Sequence, residues 1–307
     1  MSTSKTSENI KDIGEVGFIG LGQMGSGIVE NLLSKGVMVS VFDKNTEVLA
    51  KFKSLGAHVA DSPEGLARTI SLLFLCLPFT PEINNVLFGD LGVTNAVNKN
   101  LVIVDTSTIY FDDAQAIAQK LQKYGIIYVD CPISGLPKRA KNGSLTMMFG
   151  GSSKIYNKVL KYLNLMGDFI IHCGPCGSGQ MMKAFNNAVY NINIAGISEV
   201  LPLAVKAGLD PKALEKLLVS GSSRSFASEY FIPKMMKREF TGDYRMEDAF
   251  KDIVNIQRAT SDISAEMPLI EGMIKIYKEA LEKGFGQSSK SAMLKVYEEK
   301  YGVKISS

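Results

Sequence analysis

Histidine is nearly absent from this chain. Only His58 and His172 occur, and neither has the sequence neighbours of a catalytic dyad or a metal cluster, so no metal site is expected. Cysteine is also sparse. Four thiols in a chain with no secretory leader point to a reducing compartment, and the expected localisation is cytoplasmic. Cys173 and Cys176 have the C-x-x-C spacing of a dithiol site, but no thioredoxin-sized unit surrounds them, and the spacing is read as coincidence. The net charge is only +3 and no long run carries one sign, so neither a nucleic acid nor a membrane surface is an expected partner. The first dozen residues lack arginine and an apolar h-region, so residues 1–13 read as a flexible tail. Long apolar runs are missing too. Ile70–Pro78 is too short to span a bilayer, and the charge-free stretch from Ala184 to Ser198 is of modest length and carries four asparagines.

What is present is an alternation of periods. Strand patterns fall at 16–20, 37–42, 71–77, 101–105, 126–129, 145–149 and 168–172, with helical patterns such as Thr46–Leu55, Asp112–Tyr124 and Lys154–Leu165 between them. Repeated βα units specify a mostly parallel sheet covered on both faces. After residue 178 the strand signal ends. Helices are expected from Gln180 past Pro202 and near 211–219, 225–239, 247–263, 268–282 and 288–300. The expected fold is therefore α/β, a Rossmann-type doubly wound sheet over 14–178 followed by an all-helical domain over 179–307. The apolar faces of that second domain suggest a homo-oligomer.

Val16-Gly-Phe-Ile joins a G-x-G-x-x-G turn, Gly20-Leu21-Gly22-Gln23-Met24-Gly25, which opens a helical pattern through Ile28, Val29, Leu32 and Leu33. This is the context of a dinucleotide fingerprint: a tight turn, a backbone able to approach a pyrophosphate, and a helix N-terminus that favours an anion. A second strand ends in Asp43, about 20 residues further on, where a carboxylate grips a ribose diol. The alternative is that Asp43 caps the following helix. A carboxylate there repels a 2′-phosphate and favours NAD over NADP, although Lys44 could pair with such a phosphate.

A third feature lies at Gly174-Pro-Cys-Gly-Ser-Gly-Gln-Met-Met-Lys183-Ala-Phe-Asn-Asn187. Four residues apart on a helix, Lys183 and Asn187 share one face. An ammonium steadied by an amide suits proton transfer to or from a carbonyl or alcohol.

Together these residues resemble the β-hydroxyacid dehydrogenases. The resemblance rests on Gly20-Leu-Gly22-Gln-Met-Gly25-Ser-Gly27, on Asp130-Cys-Pro-Ile-Ser134-Gly135, on Gly177-Ser-Gly179 leading to Lys183 and Asn187, and on Phe250-Lys251-Asp252. It implies that Lys183 is the catalytic lysine and that Asn187 orients substrate. It implies further that Ser134, Gly135 and the N–H of Leu136 receive the substrate carboxylate, and that Lys251 lies near cofactor and substrate. Leu77-Pro78 and the turn Thr106-Ser107-Thr108 match segments that run along the cofactor. The implied activity is NAD- or NADP-dependent interconversion of a small hydroxyacid and its semialdehyde. A non-catalytic cofactor sensor of the same fold is the alternative. The chain departs from the family pattern at Leu136-Pro-Lys-Arg-Ala140-Lys141, where a second glycine and small residues are usual, and at Ser289, where aspartate is common. Lys138, Arg139 and Lys141 there form a solvated loop or favour a more anionic substrate. Phosphogluconate dehydrogenases carry a histidine where Asn186 stands, and imine reductases usually replace the lysine.

Overall fold

A computed structural model describes residues 14–242, 244–261, 263 and 265–305; the tail expected over 1–13 lies outside the described residues. The chain gathers into two compact units that divide between Lys183 and Ala184.

The first unit is built on a nine-stranded sheet. Strands β1 (Val16–Ile19), β4 (Leu72–Leu75) and β5 (Val102–Asp105) are buried along their whole length, which is why they read as unbroken apolar runs. With β2 (Val39–Phe42), β3 (His58–Val59) and β6 (Ile127–Asp130) they form a parallel array in the order β3-β2-β1-β4-β5-β6. Strand β8 (Leu145–Gly150) continues the sheet antiparallel to β6, with β7 (Ile133–Ser134) antiparallel and β9 (Gly167–Gly174) parallel to it. Strands β3 and β7 hold two residues each, too few to leave an alternation in the sequence.

Side chains of β1 alternate between two cores. Val16 and Phe18 pack with Ile28, Val29 and Leu32 of helix α1 (Gln23–Ser34), whereas Ile19 joins Ile83, Leu87, Ile117 and Leu121 on the opposite face. Helices α2 (Thr46–Ser54), α3 (Pro63–Thr69), α4 (Thr80–Phe88), α5 (Phe111–Gln122), α6 (Pro137–Asn142) and α7 (Ser153–Met166) complete the two layers. The expectation of a loop after Leu136 is corrected here. Pro137 stands in the first turn of α6, where its missing N–H costs no hydrogen bond, and Gly143 ends the helix in the left-handed region.

The second unit is helical: the greater part of α8 (Ser178–Lys206), then α9 (Pro211–Ser220), α10 (Phe226–Met236), α11 (Met246–Ala259), α12 (Pro268–Glu282) and α13 (Leu294–Tyr301). Among its described residues the only β pairing is an isolated bridge between Arg245 and Ser289. At 29 residues α8 is long and apolar enough, by length and composition, to cross a membrane, so modest length does not exclude a span. One face of it packs into the core, while Phe185, Val189, Val200 and Leu203 stay exposed. Ile194 and Leu201 are fully buried with Phe231, Ile232 and Met235, and Asn191 is buried with its side-chain oxygen accepting from Tyr277 and Lys290.

Candidate active site

In the parallel array the sequence order reverses between β1 and β4, and ligands of doubly wound sheets bind outside the carboxyl ends of strands at such a point. The glycine turn leaves β1 there. A Cβ on Gly25 would stand 1.9 Å from the Gly20 carbonyl oxygen, so only glycine lets α1 start this close to the strand. Gly22 is the N-cap of α1 and offers no side-chain cap, and no acidic residue occupies the first turn. Nothing lies within 4 Å of the place where a Gly22 side chain would begin. Uncapped N–H groups with an unencumbered approach fit a pyrophosphate. Leu21 is buried, Met24 is half-buried, and Gln23 is exposed at the helix start.

Asp43 turns back towards this loop. Its Oδ2 accepts the Leu21 N–H at 2.6 Å and its Oδ1 accepts the Asn45 N–H at 2.8 Å. The cap of α2 is Asn45, whose side chain accepts from Glu47 and Val48, so Asp43 is not that helix's cap. Lys44 is exposed.

Along the same sheet edge, β4 runs into Leu77 and Pro78, and β5 runs into the turn of Thr106, Ser107 and Thr108. The Leu77 N–H donates to Ser107 Oγ at 2.8 Å. The Ser107 N–H in turn donates to Asp105 Oδ1 at 2.9 Å, and the Tyr128 hydroxyl donates to Asp105 Oδ2 at 2.7 Å. Burial raises the Asp105 carboxyl above its ordinary range, against the pull of these donors. Thr108 is half-buried in this loop.

Ser134 lies half-buried on β7, paired with Thr146 of β8. Gly135 (φ 144°) follows, and the Arg139 stem lies against it: a Cβ there would meet Arg139 Cβ at 3.2 Å. Leu136 is the N-cap of α6. Ala140 of α6 packs onto Gly27 of α1, so the turn expected to take the substrate carboxylate rests on the helix expected to take the cofactor phosphates. Lys141 pairs with Glu30 of α1 at 2.9 Å.

The helix bearing Lys183 is tied to the end of β6. Asp130, fully buried, accepts the Gly177 N–H on Oδ1 at 2.6 Å and the Gln180 N–H on Oδ2 at 2.8 Å. Burial lifts its carboxyl to about 6 despite these bonds. Lys183 stands half-buried one turn further on. Burial first, and the Asp130 charge second, push the Cys173 thiol up to about 11 and Cys176 higher still. A dithiol redox site needs the opposite shift.

Asn187 and Lys251 belong to the second unit. Asn187 is 7% exposed, and its carbonyl accepts from Asn191 Nδ2 at 2.7 Å. Lys251 Nζ lies 3.3 Å from Asp252 Oδ1 on α11. Ser289, where the family commonly carries aspartate, is buried, with its hydroxyl bonded to that of Ser291. Sequence reasoning assigned no role to Asp105, Tyr128, Asp130 or Gln180. The signal for the two carboxylates was legible, since Val102-Ile-Val-Asp105 and Ile127-Tyr-Val-Asp130 are both apolar runs that stop on an acid.

Comparison with known proteins agrees along most of the chain. Residues 15–174 match the NAD binding domain of 6-phosphogluconate dehydrogenase, and residues 177–297 match the NAD-binding domain of NADP-dependent 3-hydroxyisobutyrate dehydrogenase. The 2-(hydroxymethyl)glutarate dehydrogenase of Eubacterium barkeri is 33% identical over 293 residues, covering 95% of this chain and 97% of that protein. The mitochondrial 3-hydroxyisobutyrate dehydrogenase of Rattus norvegicus is 30% identical over 293 residues, covering 92% and 87%. In fold, the crystal structure of a 3-hydroxyisobutyrate dehydrogenase from Salmonella typhimurium is similar with a TM-score of 0.84 at 24% identity, covering 92% of this chain and 99% of that one.

Proposed function

This chain belongs to the β-hydroxyacid dehydrogenase family, with NAD or NADP as cofactor, and on that premise we propose that it interconverts a small β-hydroxyacid and its semialdehyde with Lys183 as general acid/base. One observation carries the reading. The helix of Lys183 is fastened through Asp130 to the same end of the strands from which the glycine turn, Leu77-Pro78 and Thr108 emerge, which supports a common site for the amine and the cofactor.

The N–H groups of the first turn of α1, from Gln23 to Gly25, would hold the pyrophosphate, and Asp43 the adenosine ribose. Held on the Leu21 and Asn45 N–H groups, the Asp43 carboxylate keeps lone pairs for a diol and repels a 2′-phosphate, which favours NAD. The dinucleotide supplies a hydride acceptor for oxidation and a donor for reduction. Ser134 and the Gly135–Leu136 backbone would orient the substrate carboxylate. In oxidation the hydroxyl proton passes to neutral Lys183 Nζ while the carbon loses its hydride and the C=O bond forms. In reduction the ammonium returns that proton to the new alkoxide oxygen. Asn187, on the same helix face one turn on, would hold the reacting oxygen by its amide.

The test is turnover of 3-hydroxyisobutyrate and 2-(hydroxymethyl)glutarate with NAD and with NADP, followed at the reduced nicotinamide absorbance. Activity that falls by about 10²–10⁴ in Lys183→Ala, with NADH affinity kept within about threefold, supports the assignment. Binding of NADH without turnover of any hydroxyacid or semialdehyde would favour the sensor reading.

A further inference from the structure

The first turn of α8 carries a residue whose side chain does more than fill space. Gln180 is fully buried, and its amide spans two backbone groups that flank Thr108: Nε2 donates to the Ser107 carbonyl at 2.8 Å, and Oε1 accepts the Ile109 N–H at 3.1 Å. Its backbone N–H is held by Asp130. Ser107 Oγ in turn accepts from Leu77. One hydrogen-bonded path therefore runs from Leu77 through Ser107 and Gln180 to the turn that precedes Lys183.

The approach is tight. A Cβ on Gly179 would stand 2.2 Å from the Met148 carbonyl oxygen and 2.7 Å from Asp130 Oδ2, so the helix start is pressed against the β8 backbone and the Asp130 side chain. Lys183 follows Gln180 by three residues and shares its face of the helix. With both ends of its amide occupied, Gln180 locks the rotation of that turn about the helix axis. It also fixes the turn's distance from the loop beside Thr108.

We propose that Gln180 is a positioning residue: by bracketing Thr108 with its amide it sets where the Lys183 amine stands relative to the loop expected to lie along the cofactor. The inference rests on the acid/base reading of Lys183. A buried amide is a costly way to fill a core position unless its donor and acceptor are both engaged, as they are here. An apolar side chain of the same length fills the space but leaves the Ser107 carbonyl and the Ile109 N–H without this partner. What it cannot do is hold the Ser107 carbonyl and the Ile109 N–H at a fixed separation.

The experiment uses the full chain with Gln180→Met, which keeps length and loses both bonds, and Gln180→Glu, which keeps an acceptor for Ile109 and loses the donor to Ser107. Oxidation of 3-hydroxyisobutyrate and 2-(hydroxymethyl)glutarate with NAD and NADP is measured beside NADH binding, Tm and the solvent deuterium effect on kcat. For Gln180→Met, kcat should fall roughly ten- to hundredfold, as expected when a catalytic group is displaced by about 1 Å. The hydroxyacid KM and the NADH Kd should stay within about threefold, and the solvent deuterium effect should rise as proton transfer becomes slower. Gln180→Glu should lose less kcat than Gln180→Met but more than about twofold, and it carries the test alone if Gln180→Met does not fold. A kcat within about twofold of the parent in either folded variant overturns the inference. So does a kcat loss matched by an equal loss of NADH binding or of folded protein. Lys183→Ala keeps the two readings apart: retained activity there removes the amine's role, whereas a dead Lys183→Ala beside unchanged Gln180 variants removes only the positioning role.

Discussion

Replacing Asp130 by Asn should make the protein relatively more stable at neutral pH than at acidic pH. The carboxyl is fully buried and its titration is lifted from 3.8 to about 6, so between those values the folded state holds a proton that the unfolded state has released. Where the folded state binds more protons, stability falls as pH rises. The contribution of this group is therefore fully present below pH 3.8 and is lost as pH rises through about 6. Two pH units at roughly 1.4 kcal/mol each give a penalty of about 3 kcal/mol at pH 7 for keeping the group ionised. Opposing this, the carboxylate satisfies the N–H groups of Gly177 and Gln180. An asparagine satisfies only one, and the stranded N–H costs about 1–3 kcal/mol. At pH 7.5 the two effects nearly cancel. At pH 4.5 only about 1 kcal/mol of the relief remains and the stranded donor outweighs it, leaving the Asp130→Asn variant less stable than the parent by up to about 2 kcal/mol. Urea unfolding of both proteins at the two pH values reads the difference directly, because every other titrating group is common to both. A variant that loses more stability relative to the parent at pH 7.5 than at pH 4.5 would show that this carboxyl is not held above its ordinary range.

Four further outcomes are expected. Asp43→Asn removes the charge proposed to meet the ribose and should raise KM for NAD by about ten- to hundredfold while improving use of NADP relative to NAD, read by steady-state kinetics with both cofactors. Gly25→Ala forces a methyl against the Gly20 carbonyl and should abolish NADH binding as followed by fluorescence titration. Lys141→Ala breaks an exposed pair with Glu30 and should shift stability by less than about 1 kcal/mol in chemical denaturation. Cys173 and Cys176, half-buried and with thiols held above their ordinary range, should react with a disulfide reagent at pH 8 far more slowly than a free thiol standard; rapid labelling would contradict that shift.

The parts of the fold that were legible in the sequence are those written over long stretches. Leu72–Leu75 and Val102–Asp105 are buried on both faces, so apolarity alone marked them, and α7 and α12 repeat an apolar stripe over several turns. The helix over Pro137–Asn142 was not legible, because six residues cannot show a period and its start is signalled only by a proline that also suits a loop. The candidate site divides in the same way. Gly20, Gly22 and Gly25 announce themselves by spacing, and Lys183 by its place after a glycine turn. Gln180 and Tyr128 act through partners 73 and 23 residues away, and no local pattern records a bond of that kind.

Anyone seeking to widen or narrow substrate choice at the proposed carboxylate turn Gly135–Leu136 meets a constraint set by the contact of Ala140 with Gly27. Lys138 faces solvent, so a library of acidic, neutral or bulky groups there alters the field around the turn without touching the pair that Lys141 makes with Glu30 of α1. Enlarging Ala140 instead pries at the first helix of the nucleotide fold. Selection for a new hydroxyacid at that residue would be scored as weakened dinucleotide affinity, and the two traits would have to be evolved together.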